Sequence, residues 1–309
     1  MTAIPRLARA SSARRADARR SSALARTRGR SGMLLSAPAL AFVGVLLFIP
    51  IGQAAYYSMT DWDGITSTWR GPGTFLHALR DPAFLRILEN NAMLLLAVPV
   101  AIVIPLGVAF LLNQQVAGWR FFRSVYFLPT AISWVVIGMV ATRFFAQRGL
   151  LNSMLGAAGL GFLKTDMLGH EYTALLAVAI TFVWSMVGTN TIIFITGMAT
   201  LDPSLYEAAQ VDGAGTWRIL WKITLPQLTR FIQFAFVMTI ISAFTGLFSL
   251  IFVMTGGGPG YGTTTLEFQV YQTAFSQGAF GAGALYGVLL FVVMAVVGLI
   301  QVRLMRGSR

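Results

Sequence analysis

Cysteine is missing from this chain of 309 residues, and histidine occurs only as His77 and His170. Without thiols there is no disulfide and no thiolate metal site, and two imidazoles far apart in sequence leave little from which to build a zinc or haem centre. Charge is scarce as well. Asp, Glu, Lys and Arg make up 11% of the residues, and 56% are apolar, whereas soluble domains carry about 25% charged residues and roughly 45–50% apolar ones. So few charges cannot cover so much apolar surface in water, and lipid is the expected solvent. No GxxxxGK[ST] run or GxSxG is present. His170-Glu171 opens a zinc-protease-like pattern, but Ala174 stands where its second histidine belongs. The expectation is a chain that is not an enzyme, holds no metal and does not bind ATP itself.

Apolar runs are abundant. Hydropathy marks six of them, Leu34–Tyr56, Ala92–Leu112, Phe121–Phe144, Ala174–Leu201, Phe231–Met254 and Gly281–Leu304, each near or above the ~20 residues that cross a bilayer. Prolines inside them (Pro38, Pro50, Pro99, Pro105, Pro129) favour helices with tolerated kinks over strands. The fold expected is an all-α integral membrane protein with six transmembrane helices. The first run exceeds the 7–15 residues of a signal-peptide core, so it reads as an uncleaved span. No Asp, Glu, Lys or Arg falls near the middle of any run. Self-powered carriers and voltage sensors use such groups, so their lack points to an energy source outside the chain.

The net charge of +12 is unevenly placed, with nine arginines between Arg6 and Arg30 against a single acid, Asp17. No aromatic residues interleave these arginines as stacking platforms would, so residues 1–32 read as a basic, disordered cytoplasmic tail facing anionic headgroups, not as a nucleic-acid binder. Six spans put both termini on one side. That side collects 17 of the 23 Lys and Arg, and the positive-inside rule makes it cytoplasmic.

One cytoplasmic stretch, DPSLYEAAQVDGAGTWRILWKITLP (residues 202–226), is too short to cross. Asp202 is a good N-cap with Pro203 at the first helical position, and Gly213 suits a C-terminal turn. A second short helix, about Thr216 to Thr224, presents Trp217, Leu220 and Trp221 on one face before Pro226 breaks the chain. Here the sequence resembles the permeases of ATP-binding-cassette importers. Their loop signature is Glu-Ala-Ala, three residues, Gly, nine residues, Ile-x-Leu-Pro, matched by Glu207-Ala208-Ala209, Gly213 and Ile223-Thr224-Leu225-Pro226, with Asp212 and Ala214 flanking as in the carbohydrate branch. Leu220 and Arg230 stand where relatives often have Phe and Pro. The resemblance implies a coupling helix between spans four and five that docks on a separate ATPase. Glu207 would pair with a basic group there, and Ala208, Ala209 and Gly213 would allow close approach. Without the resemblance the same loop reads as a helix lying on the membrane surface.

A second signature follows the fifth run. Met254-Thr255-Gly256-Gly257-Gly258-Pro259, then Tyr271 and Ala274-Phe275, resemble the maltose- and glycerol-phosphate-type branch, with Ser249 where relatives often carry Asp. Glycines and proline force an external turn, and residues 263–275 read as a short surface helix or irregular loop. Weaker matches include Asn90-Asn91, so that the resemblance spans residues 85–305, and Gly283 and Gly287 form a GxxxG of the helix-packing kind. The domain reading is a tail (1–32), a first helix with its external loop (33–84) and a permease core (85–309).

Polar and aromatic residues that could touch solute inside the spans are Trp134, Trp184, Asn190, Thr191, Ser242, Thr245 and Ser249; each could equally serve helix packing or the interfacial belt. The resemblance implies further partners: a second, unlike permease subunit, an ATPase dimer holding ATP and Mg²⁺, and an external solute-binding protein. A permease for a peptide, amino acid or phosphate, or an autonomous channel or carrier, stays open.

Overall fold

The computed structural model describes residues 36–113 and 119–306; the basic tail lies outside them. The chain divides into two compact units after Tyr56. All but the last residue of helix α1 (Ser36–Tyr57), 22 residues long and predominantly apolar, lies in the first, with Leu40, Phe42, Phe48 and Ile49 all more than half exposed. At 1.5 Å per residue it extends about 33 Å, the thickness of a hydrocarbon core.

The second unit opens with a hairpin of two three-residue strands, β1 (Thr60–Trp62) and β2 (Ser67–Trp69), with Thr60 opposite Trp69. These are the only strands among the described residues. Helices α2 (Gly73–Arg80), α3 (Pro82–Leu95) and α4 (Ala97–Asn113) follow. The second span thus begins ten residues earlier than hydropathy suggests. It breaks at Leu96 because Pro99 has no N–H to give the carbonyl four residues before it.

The third run is not one straight crossing helix. α5 (Trp119–Phe127) passes into a 3₁₀ turn at Leu128–Ala131, and α6 (Trp134–Phe145) restarts with Ser133 capping the Val136 N–H. The axes of Ser124–Ala131 and Trp134–Ala157 differ by 114°. Pro129 sits in the turn, so the expected kink is a full change of direction. α7 (Leu150–Ala157) leads to α8 (Glu171–Met198), the longest uninterrupted helix. Beyond it come α9 (Pro203–Val211), α10 (Thr216–Ile219), a π turn (Leu220–Thr224) and α11 (Leu225–Gln227). α12 (Thr229–Thr245) and α13 (Leu247–Met254) make up the fifth run, interrupted at Gly246. Last are α14 (Leu266–Tyr271), a second π turn (Gln272–Ser276) and α15 (Phe280–Arg306). Among the described residues four helices are long and apolar enough to cross a membrane, or up to six if each sharply bent pair counts as one span.

α4 and α8 pack along their lengths and make the most extensive helix–helix contact. Around them lies a core of Val98, Ala101, Val178, Phe182, Leu247, Leu250 and Ile251, all buried. Within lipid, apolar burial adds little to helix association, and close packing with interhelical hydrogen bonds carries it. Asn190 of α8 supplies such bonds. Its amide donates to the Ala101 carbonyl of α4 at 2.7 Å and to Thr239 Oγ1 of α12 at 3.0 Å. Gly188 lets α8 approach the 3₁₀ turn: a Cβ there would lie 2.6 Å from the Tyr126 carbonyl oxygen and against the Thr130 methyl.

Gly188→Ala should therefore push α8 and the α5–α6 turn apart and cost about 1–3 kcal/mol, the usual range for overpacking. The thermal midpoint of the purified protein in detergent should fall, and by more than for Gly287→Ala, where a Cβ meets open space.

Candidate functional site

The loop between α8 and α12 builds one polar surface on an apolar foundation. Asp202 caps α9 by accepting the Ser204 N–H at 2.9 Å, and that bond holds its carboxyl below the usual carboxylate range. α9 ends where Gly213, with φ +72°, turns the chain, a conformation that costs glycine nothing and other residues about 1–2 kcal/mol. The Ala214 N–H returns to the Ala209 carbonyl at 2.9 Å.

Ala209, Ile219 and Leu228 are buried in a cluster with Ile102, Phe110, Phe194 and Met198 from α4 and α8. Tyr206, Ala214, Leu220 and Ile223 pack against it. Tyr206 Oη lies 3.3 Å from Thr224 Oγ1, and Thr224 Oγ1 donates to the Ile219 carbonyl five residues back, tying α9 to the π turn. The loop is packed against α4, α8 and α12.

Its outward side carries Glu207, Ala208, Val211 and Asp212, all exposed, with Val211 88% exposed. Glu207 within α9 and Asp212 at its C-cap thus flank, in the chain, a small residue and a bare valine. Two expectations need correction. Ala209 does not face outward with Ala208: it points into the chain's own core, because successive helical residues diverge by about 100°. Leu220 is half buried, while Trp217 and Trp221 are 71% and 62% exposed, so the three do not share a face. Leu225 is half buried and Pro226 exposed.

At the other end of α8 a second polar construction holds the glycine turn. Gly256 and Gly257 both have positive φ, and a Cβ on Gly257 would lie 2.6 Å from the Phe268 ring. Thr264 Oγ1 donates to the Gly257 carbonyl and Thr263 Oγ1 to that of Gly258, each at 2.9 Å; Pro259 follows. Asn90 Nδ2 donates to the Tyr261 and Thr264 carbonyls at 2.7 and 3.0 Å, and Asn91 Oδ1 accepts the Leu266 N–H at 2.9 Å. Nearby, Arg86 binds Glu89 and Glu171 and lies 4.6 Å from the Tyr172 ring centre. Residues 263–275 are therefore not a surface helix. Thr263, Thr264, Thr265, Leu266, Phe268 and Gln269 are buried, because the two asparagines draw the segment onto α3. Sequence reasoning noticed Asn90-Asn91 without assigning a role, since nothing local says that their partners lie more than 170 positions away.

Residues 72–307 match the family described as binding-protein-dependent transport system inner membrane component. The chain belongs to that family. It is 31% identical over 263 residues to the multiple sugar-binding transport system permease protein MsmF of Streptococcus mutans, covering 84% of this chain and 90% of that one. It is 31% identical to the sn-glycerol-3-phosphate transport system permease protein UgpA of Agrobacterium fabrum, covering 87% and 92%. The diacetylchitobiose uptake system permease protein NgcF of Streptomyces coelicolor is 32% identical, covering 83% of this chain and 79% of that one. A bacterial ABC transporter involved in import of the acidic polysaccharide alginate shares the fold, with TM-score 0.75 at 21% identity over 92% of this chain and 98% of that one.

In this inner membrane component the intramembrane candidates separate. Asn190 and Thr191 are 1% and 0% exposed; the first bridges helices and neither faces an open path, which corrects their place among solute contacts. Trp134 stacks on Phe182 at 6.1 Å between ring centres. Together with half-buried Ser242 it borders Gly246, where a Cβ would lie 3.0 Å from the Ser242 carbonyl and 3.1 Å from the Trp134 ring. Ser249 is half buried. Thr245 and Trp184 are exposed, and the Thr245 hydroxyl donates to the Ile241 carbonyl at 2.9 Å. No cluster of His, Cys, Asp or Glu that could hold a metal occurs among the described residues.

Glu267, in the buried segment after the glycine turn, has its carboxyl pushed up by burial to about 7, partly offset by Thr265 and its own backbone N–H. Between its ordinary value of 4.5 and about 7 the folded state keeps a proton that the unfolded chain gives up, so stability falls as pH rises across that window and levels above it. Thermal midpoints at pH 5, 6, 7 and 8 should show this fall, and Glu267→Gln should remove it.

Proposed function

We propose that this chain is one of two unlike permease subunits in an ATP-driven importer of a sugar, an oligosaccharide or a related polyol or glycerol phosphate. The observation that carries the reading is the outward face of α9: Glu207, Ala208, Val211 and Asp212 are exposed on a loop whose other side is locked into the helix bundle. An acidic, partly apolar face held rigidly to three membrane helices suits a transmitter of force. A separate ATPase dimer, holding ATP and Mg²⁺, docks there, with Glu207 against a basic group and Ala208 and Gly213 permitting close approach.

Closure of the ATPases on ATP drags α9, and through Ala209 and the Tyr206–Thr224 contact it tilts α4, α8 and α12. The path switches between outward and inward openings, and this chain lines half of it. Both termini lie in the cytoplasm, on the side of α9. An external solute-binding protein delivers cargo to the opposite end, where the Gly256–Pro259 turn lies. The sugar class is supported by the relatives named for multiple sugars and diacetylchitobiose, and by Trp184, Thr245, Ser242 and Ser249, which offer a ring and hydroxyls on incompletely buried surfaces.

Glu207→Lys tests the reading. Removing one partner of a buried interfacial charge pair costs about 2–5 kcal/mol, so the variant should insert at wild-type amounts and lose ATP-driven uptake in reconstituted vesicles. Uptake at the wild-type rate would defeat the assignment.

A further inference from the structure

The loop has two exposed sides of opposite chemistry. From Thr200 to Gly215 it carries Asp202, Glu207 and Asp212 and no basic residue; from Thr216 to Arg230 it carries Arg218, Lys222 and Arg230 and no acid. The π turn sorts the second stretch by face. Because Leu220–Thr224 closes its hydrogen bonds at the wider i→i+5 spacing, Ile219 and Thr224 both reach the buried side, at 7% and 0% exposure. Trp217 and Trp221 stay in line on the opposite side, with Arg218 and Lys222 alongside, all four exposed. None of Arg218, Lys222 and Arg230 forms an ion pair among the described residues.

Direction supplies the second observation. The segment Thr216–Gln227 meets α12 at 73°. With α12 crossing the bilayer, a segment at that angle runs nearly parallel to the membrane plane, at the depth where α12 enters. Tryptophan is enriched at that depth, and Lys and Arg there meet lipid phosphates.

We infer that residues 216–230 form an in-plane anchor for anionic lipid: Trp217 and Trp221 lie among the headgroups and upper acyl chains, and Arg218, Lys222 and Arg230 bind phosphodiester groups. The occupant is lipid because the surface is basic and aromatic, unlike the acidic face of α9 next to it. The anchor fixes the depth of the loop, so that a push on α9 rotates helices instead of lifting the loop from the membrane. The inference rests on α12 crossing the bilayer and stands apart from the docking of an ATPase.

The natural absence of cysteine allows single labels. Trp217→Cys, Trp221→Cys and Val211→Cys in the full chain, each carrying a nitroxide, are placed in nanodiscs of phosphatidylcholine with or without phosphatidylglycerol. With the anionic lipid present, labels at 217 and 221 should be relaxed strongly by oxygen and weakly by a water-soluble nickel chelate, and the label at 211 the reverse. A basic residue at an anionic surface is worth a factor of about five in lipid binding. Arg218→Glu with Lys222→Glu should therefore lower retained phosphatidylglycerol about twenty-fold or more, while Arg218→Lys with Lys222→Arg keeps it. Labels at 217 and 221 that remain fully nickel-accessible in both lipid mixtures would overturn the inference. So would labels shielded only after a co-purifying ATPase subunit is added, which would make that subunit the occupant and leave the permease reading intact.

Discussion

Hydrocarbon offers no water to a peptide group, and that constraint governs the rest of this structure. Each backbone N–H and C=O in the bilayer needs a partner within the chain, so spans are helices and every interruption must be repaired locally. Ser133 caps the helix that restarts after the Leu128–Ala131 turn. Some hydroxyls inside the helices are spent the same way: Thr181 on the Ala177 carbonyl, Ser185 on that of Phe182. With those groups satisfied within one helix, few are left to join helices, and Asn190 with its bonds to two neighbours becomes the polar link at the centre of the α4–α8–α12 contact.

The two ends of the bundle solve different problems. At one end Asn90, Asn91 and Arg86 fold the glycine turn and the threonine run back onto α3 and α8. The other end keeps its backbone closed and leaves side chains open: Ala209 and Ile219 face inward, and Glu207, Val211, Trp217 and Lys222 face outward. Rigid attachment with a free outer surface is what transmission of movement to α4, α8 and α12 requires. A loop hinged on glycines alone would flex and absorb the stroke.

Much of this is legible in the amino-acid sequence. Scarce charge and long apolar runs implied membrane helices, and the Asp202-Pro203 start and Gly213 stop of α9 followed from capping chemistry. The signature from Glu207 to Pro226 pointed to the family. What was missed depends on neighbours distant in sequence. A hydropathy run from Phe121 to Phe144 contains no sign of the 114° bend between Ser124–Ala131 and Trp134–Ala157. Residues 263–275 look polar enough for a surface until Asn90 and Asn91 supply partners for their backbone. Asn190 and Thr191 look like pathway residues because polarity in a span is conspicuous, while burial on α8 is decided by the helices opposite.

The central claim is that α9 is a docking surface for a separate ATPase. Affinity purification of the tagged chain from its own locus in mild detergent, followed by mass spectrometry, tests it most directly. The account predicts recovery of a second multi-span permease and a P-loop ATPase, with the ATPase crosslinking to positions next to Glu207. Recovery of the chain alone or as a homo-oligomer, with no ATPase even after crosslinking, would contradict it and leave an autonomous channel or carrier.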